Sequence, residues 1–298
     1  MYSILIRYIT IICFWLIIMS CKTGLSYGLN EVLNYPDQDK PGDLPKIFAP
    51  GIVSIDNKNT HACIFSPDGK MLVFSRYPDK KSYIMILENN TWSDPVEAFF
   101  KGKECSFSSD GKRIFYYENK GDIFYNEKKE DGWGYPVNAG FNINTDEIEF
   151  YPSVTNDETL FFSRNSNWND SRILYSTLEN GRYSAPVDVS LWINKGGALH
   201  AYVAKDKSYI LFNSSRKGSY TQLDIWISFR NNDNTWTKPK NLGKEINSGA
   251  DAILCPTVSP DGKYLFFTKL DFSSNTGYVY WVSTTIIDVL RLDIMTDY

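Results

Sequence analysis

Of ten repeat-equivalent positions spread along the chain, nine carry residue types able to do chemistry if the fold brings them together. Six residues ahead of a recurring aspartate stand Ala62, Glu104, Tyr151, His200 and Cys255. Just past the apolar run that follows each aspartate stand Arg76, Glu118 with Asn119, Arg164, Arg216 and Lys269. Arginine presents forked donors that match carboxylates and phosphates, and aromatic faces stack on flat or apolar ligand surfaces. The pattern therefore predicts a ligand-binding set of Arg76, Glu104, Glu149, Arg164, His200 and Arg216. A plainer reading uses the same residues as ties between neighbouring repeats, each arginine paired with an acidic side chain, because structural ion-pair networks and binding sites share this composition.

Catalysis is the next chemistry to weigh. Paired carboxylates hydrolyse glycosides as acid and base or nucleophile, and Glu104, Glu147, Glu149 and Asp251 are the candidates. Their spacing singles out no pair, so the catalytic residues stay unassigned and a non-enzymatic role is preferred. His61 and His200 occupy nearly matching repeat positions, but two histidines without a fixed carboxylate partner are a weak metal signal, and no metal or cofactor is expected. Cys63, Cys105 and Cys255 form no Cys-x-x-Cys and no zinc spacing. Cys63 and Cys105 share a repeat position; a disulfide is open to them, though buried free thiols are preferred because equivalent strand positions usually exceed the ~7 Å limit on Cα separation. Neither a Gly-rich phosphate loop nor a Gly-x-Ser-x-Gly elbow is present.

The elements that must position these residues repeat five times. Ser66-Pro67-Asp68-Gly69-Lys70, Ser108-Ser109-Asp110-Gly111-Lys112, Thr155-Asn156-Asp157-Glu158, Ala204-Lys205-Asp206-Lys207 and Ser259-Pro260-Asp261-Gly262-Lys263 each divide two apolar runs. The aspartates lie 42, 47, 49 and 55 residues apart, a period that fits β-rich blades rather than helical repeats. The second runs, such as Met71-Leu72-Val73-Phe74 and Tyr264-Leu265-Phe266-Phe267, have strand composition, and Asp-Gly between such runs marks a hairpin. Glu158 and Lys207 stand where the glycine would be, so those two turns are expected to differ. A third strand follows in each unit, then a fourth that starts at an aromatic and passes a proline, as in Trp92-Ser93-Asp94-Pro95 and Trp236-Thr237-Lys238-Pro239. Proline confines that strand to the outer edge.

The fifth unit lacks this fourth strand, while Pro45-Lys46-Ile47-Phe48 matches Pro239-Lys240-Asn241-Leu242. The residues around Leu44–Pro50 are therefore expected to complete the last unit and remove the free edges of an open array. The expectation is an all-β chain: one five-bladed β-propeller of four-stranded antiparallel blades over 44–298, its ring closed by an N-terminal strand, with a short C-terminal helix from Thr284 to Arg291. With its Ser-Pro-Asp-Gly-Lys hairpins at Asp68 and Asp261 and its Asp-Ile-aromatic strands at Asp122 and Asp224, the chain resembles the TolB-type, WD-repeat-like propeller family over roughly residues 44 to 285. Five units are counted where TolB itself usually has six. The resemblance implies a binding or scaffolding propeller whose ligand sits at one end of the central channel.

Arg7 followed by the apolar run Tyr8–Met19 reads as a secretory signal over residues 1–20, too short for a spanning helix. Ile18-Met19-Ser20-Cys21 resembles a bacterial lipobox, which implies acylation at Cys21, a tether over 21–43, and a membrane-anchored lipoprotein facing the periplasm or outer membrane. Loss of residues 1–20 leaves 30 Lys and Arg against 35 Asp and Glu. This mild acidity, with no basic tail, disfavours nucleic acid. A monomer that binds an envelope protein or a glycan is the preferred reading; a five-bladed propeller glycoside hydrolase acting on polysaccharide is the alternative.

Overall fold

The computed structural model describes residues 33–36, 38–118, 121–165 and 170–296. The signal segment, Cys21 and Asn119 lie outside the described residues. The compact unit considered below begins at Asn34.

Five antiparallel units follow one another. Each opens with a strand of five to seven residues: Asn59–Phe65, Lys103–Phe107, Ile148–Val154, Leu199–Val203 and Ala252–Val258. The second strands are Met71–Tyr77, Arg113–Tyr117, Leu160–Asn165, Tyr209–Ser214 and Tyr264–Asp271; the third are Lys81–Glu88, Ile123–Lys129, Arg172–Ser176, Asp224–Phe229 and Thr276–Ser283. Strand order within each unit is sequential. Every first strand packs against the first strand of the next unit, and the fifth packs against the first. Asn59 also bridges Gly277, joining the first unit directly to the fifth.

The outer strands are broken where proline falls. Trp92 and Trp133 pair with the far end of the third strand and Tyr183 with Leu178 just beyond it, whereas Val96–Glu97, Val137–Asn138 and Val187–Asp188 pair within the third strand itself. Pro95, Pro136 and Pro186 lie between the two pieces, since a residue without an N–H cannot carry the ladder across. The fifth unit takes its outer strand from the other end of the chain: Lys46 pairs with Trp281 and Ile47 with Tyr280. Phe48, fully buried, follows with its N–H on Val279 O and its ring edge-on to Phe266 and Trp281. Part of the stretch expected as tether also packs onto these sheets, because it supplies an aromatic that the last wedge needs. Tyr35 lies against Phe65, Tyr264 and Trp281 and donates its hydroxyl to Asp261, and Asn34 O accepts from Trp92 Nε1.

The recurring aspartate earns its place locally. In the first, second and fifth turns its Oδ1 accepts from the serine two residues before it and from the backbone N–H two residues after it, and that serine accepts the N–H opening the second strand. Gly69, Gly111 and Gly262 hold φ near +70°. Glu158 and Lys207 adopt the same left-handed conformation, at φ 63° and 61°, so the expectation that their turns differ is corrected. A residue with a Cβ costs about 1 kcal/mol or more there. Each is held by an ion pair to the preceding unit, Glu158 to Arg113 and Lys207 to Asp157.

Apolar wedges fill the gaps between successive units. Val73, Ile84, Phe107 and Ile114 sit between the first and second; Phe115, Ile123, Val154 and Phe162 between the second and third. The remaining gaps hold Phe161, Ile173, Val203 and Phe212, and then Leu211, Ile227, Leu265 and Phe267. The C-terminal helix, Thr285–Thr296, buries Ile287 against the last of these. A four-residue helix, Leu191–Asn194, capped by Ser190, interrupts the link between the third and fourth units and was not expected from sequence.

Candidate functional site

Each first strand carries a bulge, and in each the bulged residue is left-handed: Ala62, Glu104, Tyr151, His200 and Cys255 have φ between 50° and 55°. These are the repeat-equivalent positions singled out in the sequence. A bulge re-aims one side chain and breaks the alternation of the strand. Because all five strands share it, even at Ala62, the bulge belongs to the architecture, and the chemistry depends on which side chains occupy it.

Three of the five converge. One ligand-type atom each from Glu104, His200 and Cys255 lies within 4.8 Å of the others, and all three residues are buried. His61 Nε2 stands 3.6 Å from Glu104 Oε1, and its ring stacks on Tyr77 at 4.8 Å. The histidines therefore do have a carboxylate partner, contrary to expectation: the bulge turns Glu104 toward the strand that carries His61. Tyr151 packs on the His200 ring at 5.0 Å and donates its hydroxyl to Pro256 O. Lys103 Nζ donates to Tyr77 Oη at 2.7 Å and lies over the Tyr117 ring.

Burial works against the charge on Glu104, but the contact with His61 and the fields of His200, His61 and Lys103 outweigh it and hold the carboxyl below its usual range. Burial lowers His200, more than the field of Glu104 raises it, and burial pushes the Cys255 thiol well up. Cys63, Cys105 and Cys255 are free thiols, so the disulfide alternative falls away.

Comparisons with known proteins add little beyond shape. No protein-family model matches the chain, and none of the curated proteins matches it. Among solved structures, a protein described as TolB from Agrobacterium tumefaciens is similar at 19% identity and TM-score 0.47, over 72% of this chain and 71% of that one. TolB from Acinetobacter baumannii is similar at 14% identity and TM-score 0.47 over 75% of this chain, which spans about half, 54%, of that protein. Oligogalacturonate lyase from Vibrio parahaemolyticus is similar at 12% identity and TM-score 0.43, over 82% and 98%.

The arginines of the expected set are engaged elsewhere. Arg76 donates to Ile52 O and Val53 O, Arg164 to Ile143 O, and Arg216 to Trp192 O and Ile193 O. Lys269 does the same to Ser248 O. Each cation thus clasps the link that leads into its own unit, and each lies over an aromatic ring of that unit: Phe74, Phe162, Phe212 or Tyr280. Arg164 also pairs with Glu149, a residue with 0% exposure whose oxygens accept from Thr145 as well. Burial raises the Glu149 carboxyl despite Thr145 and Arg164. Of the predicted set, the structure brings Glu104 and His200 together, holds Glu149 with Arg164, and ties Arg76 and Arg216 to separate links.

Two functional features escaped the sequence reading. Asn213 Oδ1 accepts from Cys255 N and faces His200 Nδ1, while its Nδ2 donates to Ile253 O and Asp224 O. Asn144, Asn194 and Asn247 each bond both backbone groups of an isoleucine in the preceding unit, Ile123, Ile173 or Ile225. The repeated Ile-Asn pairs at 143–144, 193–194 and 246–247 were the signal for the second feature. Asn213 had none.

Proposed function

We propose that the five units are the blades of a five-bladed β-propeller, and that the propeller is a binding module for a protein or glycan of the bacterial cell envelope, carried on the membrane by a lipid at Cys21. The cyclic packing of the first strands and the pairing of Lys46–Ile47 with the last unit support the propeller. Exposed apolar side chains support the binding role. Phe141 (85% exposed), Leu191 (87%), Trp192, Tyr220 and Phe272 lie in links before first strands or in loops between second and third strands, which fall at the same end of every unit. Single exposed apolar residues are ordinary, but aromatics gathered on the loops of one end mark an interaction surface.

The hydrolase alternative receives less support. Glu149 is sealed and fully bonded, Glu104 is buried, Asp251 accepts the Phe272 N–H, and the partly exposed Glu147 is paired with Arg172 and Arg164. A glycosidase needs two carboxylates open to the sugar. Among the described residues no helix is long and apolar enough to cross a membrane.

The test has two arms. Cys21→Ala should release the chain from the membrane fraction and abolish labelling by a clickable fatty acid; identical labelling of both forms rejects the anchor. Residues 22–298, presented to a glycan array and to envelope extract, should retain a specific ligand, and Phe141→Ser with Trp192→Ala should lose it at unchanged thermal midpoint. Retention equal to the parent, or no ligand at all, rejects this face. Release of reducing ends from a polysaccharide would restore the hydrolase.

A further inference from the structure

We propose that Glu104, His200 and Cys255 form a three-ligand site for a zinc-class divalent cation at the centre of the ring. The three side chains offer a carboxylate oxygen, an imidazole nitrogen and a sulfur, the donor types that zinc takes, and their atoms already lie within 4.8 Å of one another. Zinc bond lengths of about 2.0–2.3 Å in tetrahedral geometry ask for separations of roughly 3.3–3.8 Å, so closing on the ion takes about an ångström of side-chain movement.

Two further observations point to a ligand. Glu104 is 94% buried by its 6% exposure, yet its Oε2 has no hydrogen-bond partner, and an unmet carboxylate oxygen in a core is costly unless something satisfies it. The second observation fixes the histidine tautomer. Asn213 Oδ1 accepts a bond from the Cys255 backbone N–H at 3.0 Å, which orients the amide with its oxygen toward the site. His200 Nδ1, 3.2 Å from the same oxygen, must then be the protonated nitrogen, which leaves the lone pair on Nε2. A carbonyl oxygen that fixes the ring of a ligating histidine through its other nitrogen is the usual outer-shell partner at metal sites. Asn213 is here a positioning residue, anchored in turn on Ile253 O and Asp224 O.

Binding replaces the thiol proton of Cys255 with the metal and passes that proton to solvent, since a coordinating thiol is deprotonated. Three protein ligands leave a fourth position for water or a ligand atom, the arrangement of an open rather than a closed zinc site. Glu104, His200 and Cys255 come from the second, fourth and fifth units, so the ion would tie the second unit to two that do not adjoin it in sequence.

The probe is zinc alone, added to tag-free protein after chelation. One ion per chain is expected by elemental analysis, together with a rise in thermal midpoint that chelator reverses. Cobalt in place of zinc should give a thiolate-to-metal charge-transfer band in the near ultraviolet. Cys255→Ser should abolish the band and weaken zinc binding at least ~100-fold, while Cys105→Ser retains both. If Cys255→Ser fails to fold, Glu104→Gln and the zinc-dependent midpoint of the parent chain decide. Zinc that is not retained by the parent, a band that persists in Cys255→Ser, or affinity unchanged in Glu104→Gln overturns the site.

Discussion

Arg164 Nε lies 2.8 Å from Glu149 Oε1, and the carboxylate has no exposed surface at all. The pair closes the link before the third unit from the inside, because Arg164 also takes the Ile143 carbonyl. Removing the cation would leave a buried carboxylate facing only Thr145. Arg164→Ala is therefore expected to cost about 3 kcal/mol in urea unfolding. Arg216→Ala, which strands carbonyls rather than a charge, should cost about 1–2 kcal/mol. Losses under about 0.5 kcal/mol, accompanied by loss of ligand binding, would return these arginines to the ligand site.

Stepwise N-terminal truncation should resolve the closing strand. Removal through residue 32, which spares the buried Leu33, sets the reference midpoint for the longer truncations. Removal through residue 43 takes away Tyr35 and its contacts with Phe65, Tyr264 and Trp281 and should lower it clearly, as loss of a buried aromatic costs about 3 kcal/mol or more. Removal through residue 52 bares the edge at Tyr280–Trp281 and should end cooperative unfolding or cause aggregation. Three truncations that melt alike would show that this strand contributes nothing.

Gly262 isolates the cost of the left-handed turn. A Cβ there would meet nothing within 4 Å, and φ is 73°. Gly262→Ala should destabilise by about 1 kcal/mol from backbone conformation alone. Unchanged stability would mean that the turn relaxes.

Lys205 makes a pH prediction. Its Nζ donates at 2.7 Å to both Phe107 O and Val154 O, and burial lowers the ammonium from 10.5 to about 8. Between those values the unfolded chain binds more protons than the folded one, so this group's contribution to stability increases as pH rises from 8 toward 10.5, and its penalty is fully present below 8. The stability of the parent relative to Lys205→Met should climb across that window by on the order of 2 kcal/mol, allowing for the part of the side chain still in water. A difference that is flat with pH would sink the assignment.

The repeat was legible because its turn is local. Ser66, Asp68 and Gly69 satisfy one another within a few residues, so their order in sequence carries their geometry. The same locality explains why Lys46–Ile47 could be matched to an outer strand by its proline and spacing. What sequence could not give was anything decided across units. The left-handed φ of Glu158 and Lys207 is sustained by Arg113 and Asp157 of the unit before, which no local propensity encodes. The arginines looked like a ring because they recur at one position, but recurrence fixes only which end of a strand they occupy, and the carbonyls of their own links claim them. Glu104, His200 and Cys255 were found as equivalent positions; that three of them meet depends on bulges and on Asn213, which stands alone in its repeat.

The last unit is assembled from the two ends of the polypeptide, Lys46–Ile47 early and Thr276–Ser283 late. A chain emerging from the ribosome N-terminus first cannot make this pairing until Thr276–Ser283 has been synthesised. Until then the cycle of packed first strands has no latch, so completion of the fold waits on synthesis of the last strand.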